Sequence, residues 1–199
     1  MKLGKINGKG YIYILKNSKN GMMYVGRSLD LRKRFKQHKK CAKFGSLLPI
    51  HCALWEDRKY FKTAYKIFDE ELLDEKEQYY IKKYNTIYPN GYNLASGGIK
   101  NKNYTESALQ KIKEINNQYI KILKENSIIL IHPNKRKEYF ESAFEAGVKY
   151  NLINYDEQTC LHYIKDFYEI YIGLYNRKGY SIQKVKNRQQ YLGFKSEIN

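Results

Sequence analysis

Two short segments that combine tyrosine with β-branched residues lie close together near the start of this 199-residue chain. Residues 11–16 begin with Tyr11-Ile12-Tyr13 and alternate in the manner of a β-strand, and Met22 to Gly26, which carries Tyr24, has the same character. The five residues between them, Asn17 to Gly21, are typical of a tight turn. The pattern therefore predicts a β-hairpin.

Positive charge is concentrated around this hairpin. Residues 1–45 hold 13 lysines and arginines against one acid, Asp30, so they carry 12 of the 17 excess positive charges of the chain. So basic a segment indicates a polyanionic partner, either nucleic acid or an anionic membrane. No apolar run approaches the roughly 20 residues that span a bilayer, which makes membrane contact the weaker interpretation.

The chain lacks the features of a secreted or zinc-binding protein. Met1 to Lys5 have no apolar signal region, and the three cysteines are odd in number and far apart, as expected for reduced thiols in a cytoplasm. The absence of a C-x-x-C motif and the small number of histidines, four, argue against a zinc site.

Helix and strand patterns continue to about residue 98. Asp30 is placed to start a helix that runs to about Lys43, and Pro49 lies near the first turn of a shorter one. Residues 60–68 have the pattern of a third strand, and residues 70–84 that of a helix with an acidic first turn. Ser96-Gly97-Gly98 then breaks the pattern. We expect an α/β (α+β) domain over residues 1–98, with a small three-stranded sheet flanked by helices.

The second half of the chain has a different composition. Residues 99–127 combine a polar linker with a long helix over 105–126, and residues 128–199 form a second unit. Helical patterns over 142–150 and 156–167 predict that this unit is small and mostly helical.

Helical phase divides the basic helix into two sides. At about 100° per residue, Leu31 and Phe35 define an inward stripe, and Arg34 and His38 lie beside it one turn apart. Four basic residues point to the other side: Arg32, Lys33, Lys36 and Lys40. An inward guanidinium needs an anionic partner to offset its desolvation. Phase alone leaves two interpretations open, a functional anion site or a structural ion pair beside a satisfied histidine.

A buried carboxylate is predicted on the helix over 70–84. Its apolar face comprises Leu73, Tyr80, Ile81 and Tyr84, and Glu77 lies in the middle of that face. Such a carboxylate must be protonated, paired or bound to metal. A salt bridge to Arg34 and a role as a single Mg²⁺ ligand near a phosphate are equally compatible with the pattern.

Taken together, these residues resemble the GIY-YIG endonuclease family over about residues 9–98. The resemblance implies metal-dependent hydrolysis of a phosphodiester in double-stranded DNA, with Mg²⁺ or Mn²⁺ as cofactor and with no obligate protein partner. The residues that match the family pattern are Tyr13, Tyr24, Arg34, Glu77 as the metal ligand, and Asn93. Tyr11 stands where the family's first motif begins with glycine, a change that we expect to be tolerated.

The resemblance also implies roles at the site. Arg34 would contact the phosphate, and Tyr13 and Tyr24 would activate and position water, with a cation such as Arg34 or Arg27 lowering a phenol pKa. His38 is the rival base because its ordinary pKa lies nearer neutrality. His51 is out of register with the family and is not included.

The carboxy-terminal helices resemble the helix-turn-helix of intron-encoded homing nucleases, in which the second helix enters the major groove. An ordinary helical packing module explains the pattern nearly as well. The residues expected to contact DNA are Arg27, Arg32, Lys33, Lys36, Lys40, His162 and Lys165. We expect a homing or phage-borne endonuclease; a restriction or repair nuclease and a non-catalytic DNA-binding protein are the alternatives.

Overall fold

The computed structural model describes residues 3–98, 102–153, 160–174, 176 and 178–185, without the side chains of residues 160–163. The chain divides into two compact units, residues 1–113 and 114–199. The elements in chain order are β1 (Lys9–Asn17), β2 (Met23–Ser28), α1 (Leu31–Lys43), α2 (Pro49–Glu56), β3 (Phe61–Asp69), α3 (Leu73–Lys83), α4 (Glu106–Lys124), β4 (Ile128–Ile131), β5 (Lys137–Phe140), α5 (Ala143–Lys149), α6 (Cys160–Tyr171) and β6 (Ser181–Lys184).

An antiparallel three-stranded sheet in the order β2-β1-β3 forms the centre of the first unit. The predicted hairpin is confirmed: Gly21 closes its turn by donating its N–H to the Asn17 carbonyl at 2.9 Å, with a positive φ of 78° that favours glycine. Register places Tyr13 opposite Gly26 on β2 and opposite Tyr65 on β3. The two motif segments therefore lie side by side.

Helix α1 begins where its sequence predicts. Asp30 is the N-cap, and its side chain accepts a hydrogen bond from the Lys33 N–H at 2.9 Å, which satisfies one of the free donors of the first turn. The helix ends at Lys43, and Gly45 follows with a φ of +79°. Lys40 and Lys43 lie in the last turn, where the helix dipole favours positive charge.

The sheet buries both of its faces. One face packs Tyr11, Tyr13 and Leu15 against Leu31 of α1 and Ile50 of α2. The other face packs Ile12 and Val25 against α3 through three buried side chains, Leu73, Tyr80 and Ile81. Because alternate residues of a strand point to opposite faces, β1 contacts α1 and α2 on one face of the sheet and α3 on the other. The predicted fold of the first unit, a small sheet flanked by helices, is confirmed.

The second unit contains a sheet that its sequence pattern did not predict. Strand β4 lies between β5 and β6, and Ile128 and Leu130 on β4 are fully buried. Helices α5 and α6 are present near the predicted positions. The expectation of a mostly helical module was wrong in omitting three strands, of which β6 pairs with β4 across some 50 residues of chain.

Three further sequence predictions concern this half. The long helix predicted over 105–126 is confirmed as α4, and the boundary between the two compact units falls within it. The segment predicted to separate the two helices of the helix-turn-helix is 151–155, of which residues 154 and 155 lie outside the described residues, as do the first four residues predicted for the second helix. No helix in the described part of the chain is long and apolar enough to cross a membrane.

Candidate active site

The phenol of Tyr13 is the centre of a buried polar cluster on the α1 side of the sheet. Its oxygen lies 2.7 Å from Nε2 of His38 and accepts a hydrogen bond from Nε of Arg34 at 3.0 Å. Tyr13 is fully buried, and His38 is nearly so. The inward direction predicted for Arg34 and His38 from helical phase is confirmed.

The neighbouring tyrosines separate into one that faces this cluster and one that does not. The Tyr24 ring lies 6.1 Å from that of Tyr13 and 5.5 Å from that of His38, measured between ring centroids. Tyr11 is also buried, but its hydroxyl donates to the Gly4 carbonyl at 2.8 Å. Tyr11 is therefore accommodated in place of the family's glycine, and its phenol is directed away from Arg34.

Gly26 is a site residue that sequence reasoning used only as part of a strand. A Cβ at this position would lie 2.5 Å from the Tyr13 hydroxyl oxygen and 2.8 Å from Cε1 of Tyr24. Both distances are far inside van der Waals contact, so only glycine leaves room for the Tyr13 hydroxyl. The signal was present in the spacing of Tyr24 and Gly26 on one strand.

His51 was left out of the predicted site, and the structure places it next to His38. Nδ1 of His38 lies 3.0 Å from Nε2 of His51, and Nδ1 of His51 lies 2.7 Å from Oγ of Ser46. All three side chains are buried. A continuous hydrogen-bonded chain thus runs from Tyr13 through His38 and His51 to Ser46, and we call it the Tyr13–Ser46 chain.

Burial dominates the pKa of Tyr13. Desolvation raises this pKa well above its usual range, the nearby Tyr24 raises it further, and Arg34 lowers it by a smaller amount. Arg34 thus lowers the phenol pKa, as expected, but burial of the Tyr13 hydroxyl outweighs this effect. Tyr13 is a neutral phenol at physiological pH.

His38 is likewise held neutral. Burial lowers its pKa to about 2, and the positive charge of Arg34 and the neighbouring His51 act in the same direction. The expectation of a His38 pKa suited to neutral pH is wrong for this reason. Arg34 keeps its charge, because the phenols of Tyr13 and Tyr24 outweigh the effect of its burial and raise its pKa.

Glu77 lies on the opposite side of the sheet, at α3. Its Oε2 accepts a hydrogen bond from the Gly98 N–H at 2.8 Å and lies 3.7 Å from Nε of Arg27. The side chain is mostly buried, and desolvation raises the pKa of its carboxyl group despite Gly98 and Arg27. The predicted burial of Glu77 is confirmed, although Tyr84, assigned to the same apolar face, is exposed.

The ion-pair partner of Glu77 differs from the one considered in the sequence. Arg27, not Arg34, lies beside it, and Nη1 of Arg27 also pairs with Oδ1 of Asp74 at 2.9 Å. Strand register explains this, since Arg27 is opposite Ile12 and therefore on the α3 face. The charge of Arg27 is compensated within the protein, which weakens its assignment as a phosphate contact.

Asn93 holds β2 in place. Its Oδ1 accepts from the Val25 N–H at 2.9 Å, and its Nδ2 donates to the Val25 carbonyl at 2.8 Å. Both polar ends of this buried side chain are thus engaged with one backbone residue between Tyr24 and Gly26. The geometry supports a positioning role for Asn93 on β2.

The exposed side of α1 carries the predicted basic surface. The side chains that face solvent there are Arg32, Lys33, Lys36 and Lys40, as helical phase predicted, together with Lys39. A cavity of about 610 Å³ lies alongside, between α1, α2 and β3, and Lys39, Lys43 and Arg58 line it with His38. Trp55, 65% exposed, stands at the same cavity. Sequence reasoning missed these last groups.

The two residues predicted to contact DNA from the second unit are less informative. His162 belongs to α6, but its side chain lies outside the described residues. Lys165 is half-buried, and its Nζ lies 3.5 Å from Oε1 of Glu169 one turn further along α6. This ion pair lies within one helix and occupies the Lys165 ammonium group, so it adds no support for contact between Lys165 and a DNA base.

The donor set for a metal ion is small. Within the described residues, no group of three or more His, Cys, Asp or Glu side chains is arranged to hold a metal. A cage built from protein ligands alone is therefore absent from that part of the chain. Glu77 fits the alternative, because Mg²⁺ commonly binds one or two carboxylates and completes its shell with water and phosphate oxygens.

Comparison with known proteins identifies the family of the first unit. Residues 9–93 match the GIY-YIG catalytic domain model. The chain is 24% identical over 152 residues to Intron-associated endonuclease 1 of Enterobacteria phage T4, which covers 72% of this chain and 58% of that protein. The chain thus spans little more than half the length of this relative.

Two solved structures match the same part of the chain. The catalytic domain of homing endonuclease I-TevI is 30% identical, with a TM-score of 0.38 and coverage of 43% of this chain and 98% of that one. A mutant of the catalytic domain of intron endonuclease I-TevI is 28% identical, with a TM-score of 0.40 and coverage of 46% and 98%. Through the domain at residues 9–93, this chain belongs to the GIY-YIG family.

Proposed function

We propose that the chain is a divalent-metal-dependent endonuclease that hydrolyses phosphodiester bonds in double-stranded DNA. The observation that carries this proposal is that Arg34 and His38 both contact the buried hydroxyl of Tyr13. All three residues lie within the segment that matches the GIY-YIG catalytic domain. The relatives named above, an intron-associated and a homing endonuclease, support a homing or phage-borne enzyme.

Arg34 is the residue that we assign to the phosphate. Tyr13 and Gln37 take two of the five N–H donors of its guanidinium, at 3.0 and 2.8 Å, and Tyr24 is also hydrogen-bonded to it, so donors remain for an anion. The guanidinium is held by packing and hydrogen bonds before substrate binds. Such preorganised positive charge stabilises the negative charge that accumulates on a phosphate in the transition state.

Tyr13 and Tyr24 are assigned to the attacking water. The Tyr13 oxygen accepts from Arg34 and is also hydrogen-bonded to His38 and Tyr24, so it fixes the Tyr24 hydroxyl, whose oxygen can accept a hydrogen bond from a water molecule. Tyr24 is half-buried, with its ring beside those of Tyr13 and His38. The raised pKa of Tyr13 means that it acts as a neutral hydrogen-bonding group and not as a standing phenolate.

Glu77 is the residue that we assign to a Mg²⁺ or Mn²⁺ ion. Its Oε2 is fixed by the Gly98 N–H, which leaves Oε1 for a cation. Because burial removes water from the Glu77 carboxylate, a bound cation would replace the lost hydration. When bound, the cation would supply electrostatic stabilisation of charge on phosphate oxygens. Arg27, with its Nε 3.7 Å from the same oxygen, also holds the carboxylate in position.

The exposed basic side chains of α1 are assigned to non-specific attraction of DNA. Phosphate contacts from such residues supply salt-dependent affinity without sequence information.

For the second unit we propose DNA recognition, with domain limits near 1–98 for catalysis, 99–127 for the connecting segment and 128–199 for recognition. Support for recognition by this unit comes from the resemblance of its helices to a helix-turn-helix, so footprinting with the full chain is its test.

Cleavage of supercoiled plasmid tests the nuclease proposal directly. We expect nicked or linear product with Mg²⁺ and none with EDTA, and we expect Glu77→Ala to abolish cleavage. Glu75→Ala is the matched control, because Glu75 lies on the same helix with its side chain exposed and paired to Lys76. DNA binding without cleavage by the wild-type protein would favour the alternative, a non-catalytic DNA-binding protein.

A further inference from the structure

We propose that His51, anchored by Ser46, is a positioning residue that fixes the tautomer of His38 and so directs the hydroxyl proton of Tyr13 inward. This inference deepens the proposed nuclease function and rests on it. The geometry that carries it is the Tyr13–Ser46 chain, with successive distances of 2.7, 3.0 and 2.7 Å. Each imidazole has both of its nitrogens in that chain.

The chain must be ordered in one of two directions. A neutral imidazole carries one N–H and one bare nitrogen, so a proton on Nδ1 of His38 leaves Nε2 as an acceptor, and the reverse also holds. Once one tautomer is chosen, hydrogen bonding fixes the others along the chain. Both rings are buried, at 3% exposure for His38 and 6% for His51, so water does not substitute for a lost partner.

Arg34 sets the direction. Its Nε donates to the Tyr13 oxygen, and its positive charge repels protons toward the far end of the chain. The Tyr13 O–H therefore donates to Nε2 of His38, Nδ1–H of His38 donates to Nε2 of His51, and Nδ1–H of His51 donates to Oγ of Ser46. The oxygen of Tyr13 is then left as an acceptor for Nε–H of Arg34 and for the hydroxyl of Tyr24.

Ser46 is held firmly enough to end the chain. Its N–H donates to the Cys41 carbonyl at 3.1 Å, and the thiol of Cys52 donates to the Ser46 carbonyl at 3.6 Å. The backbone on both sides of the Ser46 hydroxyl is thus tied to α1 and α2. Ser46 is also next to Gly45 and Phe44, which are exposed, so the chain ends close to solvent.

The ordered chain keeps Tyr13 and His38 neutral. Neither buried Tyr13 nor buried His38 holds a net charge readily, because burial raises the pKa of one and lowers that of the other. A fixed set of tautomers therefore holds the Tyr13 hydroxyl as a neutral group of defined orientation beside Arg34. His51 acts by maintaining that orientation and not by accepting the proton of the attacking water.

Two substitutions at position 51 separate hydrogen bonding from packing. His51→Leu fills much of the same space and offers no acceptor, whereas His51→Gln places an amide oxygen near the position of Nε2. We expect His51→Leu to lower kcat roughly 10- to 100-fold, the usual range for a lost orienting partner, with KM unchanged. His51→Gln is expected to restore most of the wild-type kcat, which a purely steric role would not produce.

Nitrogen NMR of the full-length protein reads the tautomer without any need for activity. With four histidines in the chain, the ¹⁵N-labelled spectra are simple, and His132 is a buried reference in the other unit. We expect Nδ1–H and bare Nε2 for His38 in the wild type and in His51→Gln, and loss of that pattern in His51→Leu.

The two proposals fail in distinguishable ways. If His38 carries its proton on Nε2 in the wild type, or if His51→Leu leaves both its tautomer and kcat unchanged, the positioning role of His51 is overturned while plasmid cleavage stands. If the expected tautomer is found in a protein that cleaves no DNA, the nuclease proposal fails and the orientation of the chain is retained.

Discussion

Each of the two units buries a histidine beside a tyrosine, but only one of these clusters contains a carboxylate. In the first unit, His38 contacts Tyr13 and His51, and the nearest charge is the guanidinium of Arg34. In the second, Nε2 of His132 lies 3.2 Å from Oε2 of Glu138. The presence or absence of an acid determines what each cluster can do.

The Glu138 cluster is a set of compensated charges. Glu138 receives Nζ of Lys149 at 2.7 Å, Nη2 of Arg136 at 3.2 Å and the hydroxyl of Tyr150. Burial raises the pKa of its carboxyl group, but the hydrogen bonds from Lys149, Tyr150 and His132 outweigh this and lower it to about 2. Through His132 and Arg136 the carboxylate joins β5 to the turn between β4 and β5, and through Lys149 and Tyr150 it joins β5 to the end of α5. Its role is therefore structural.

The Tyr13–Ser46 chain has no acid to stabilise an imidazolium. Its members stay neutral, and the charge of Arg34 at one end fixes the direction of its hydrogen bonds. The contrast teaches that a buried histidine next to a tyrosine does not identify a catalytic group. The decisive features are the charge balance around the ring and whether a donor such as Arg34 is left with capacity for substrate.

The largest effect is expected where space limits the site. Gly26→Ala places a methyl group 2.5 Å from the Tyr13 hydroxyl, which must move away from Arg34 and His38. Because displacement of a catalytic group by about 1 Å can cost 10²-fold, we expect kcat to fall by roughly 10²-fold in plasmid cleavage. Gly4→Ala is the control, since nothing lies within 4 Å of a Cβ there. Equal kcat for the two variants would contradict the assignment.

Acid should destabilise the two units at different pH values. Unfolded His38 binds a proton below its ordinary pKa of 6.5, whereas folded His38 does so only near pH 2, so its contribution to stability is full above pH 6.5 and declines as pH falls. For Glu138, the stabilising contribution is full above its ordinary pKa of 4.5 and is lost as pH falls toward about 2. The first unit should therefore weaken at higher pH than the second.

Fluorescence of Trp55, the single tryptophan, reports unfolding of the first unit. We expect the free energy of unfolding, measured from urea titrations, to fall as the pH is lowered from 6.5 to 5. The slope for one titrating group is up to about 1.4 kcal/mol per pH unit. The raised pKa of Glu77 acts in the opposite sense, so the slope is compared with that of His38→Gln, which lacks the titrating ring. Parallel slopes for the two proteins would show that His38 is not held neutral.

Removing the charge of Glu138 should affect stability and leave cleavage chemistry intact. Glu138→Gln leaves Lys149 and Arg136 without their anion, and we expect the second unit to lose about 1–3 kcal/mol of unfolding free energy. Lys137→Gln is the matched control, an exposed neighbour on β5. Hydrogen exchange of the β4 amides measures the change, and unaltered protection in Glu138→Gln would exclude a structural role for the cluster.

The smallest effect is expected on the outward face of α1. Each of Lys33→Gln and Lys36→Gln should weaken DNA binding to all sequences alike and reduce the slope of log K against log salt by about 0.9. Lys82→Gln is the control, because Lys82 is an exposed residue of α3. Binding titrations between 50 and 200 mM salt (roughly the range over which such contacts change affinity most) measure these slopes, and identical slopes for the variants would remove α1 from the interface.

The sequence predicted the parts of this structure that depend on local periodicity. The Asp30 cap follows from the preference of aspartate for helix starts, and the inward directions of Arg34, His38 and Glu77 follow from helical phase. Both predictions were correct. His51 was missed because it reaches His38 from another helix, across a loop whose path the sequence does not specify.

Strand register accounts for the other differences. Arg27 pairs with Glu77 because it lies opposite Ile12, and this pairing is not visible in the sequence of β2 alone. The second sheet was missed for a related reason, since β6 is only four residues long and joins β4 from the far end of the unit. Propensity in so short a segment is a weak signal without knowledge of its partner strand.

The most direct test compares Arg34→Ala with Glu138→Gln on the same supercoiled plasmid under single-turnover conditions in Mg²⁺. We expect Arg34→Ala to lose roughly 10²- to 10³-fold in cleavage rate, as for removal of one preorganised donor at a transition state, while its folding by circular dichroism is retained. Glu138→Gln is expected to cleave at the wild-type rate with a lower melting temperature. Wild-type cleavage by Arg34→Ala would contradict the assignment of the buried Arg34, Tyr13 and His38 cluster as the catalytic centre.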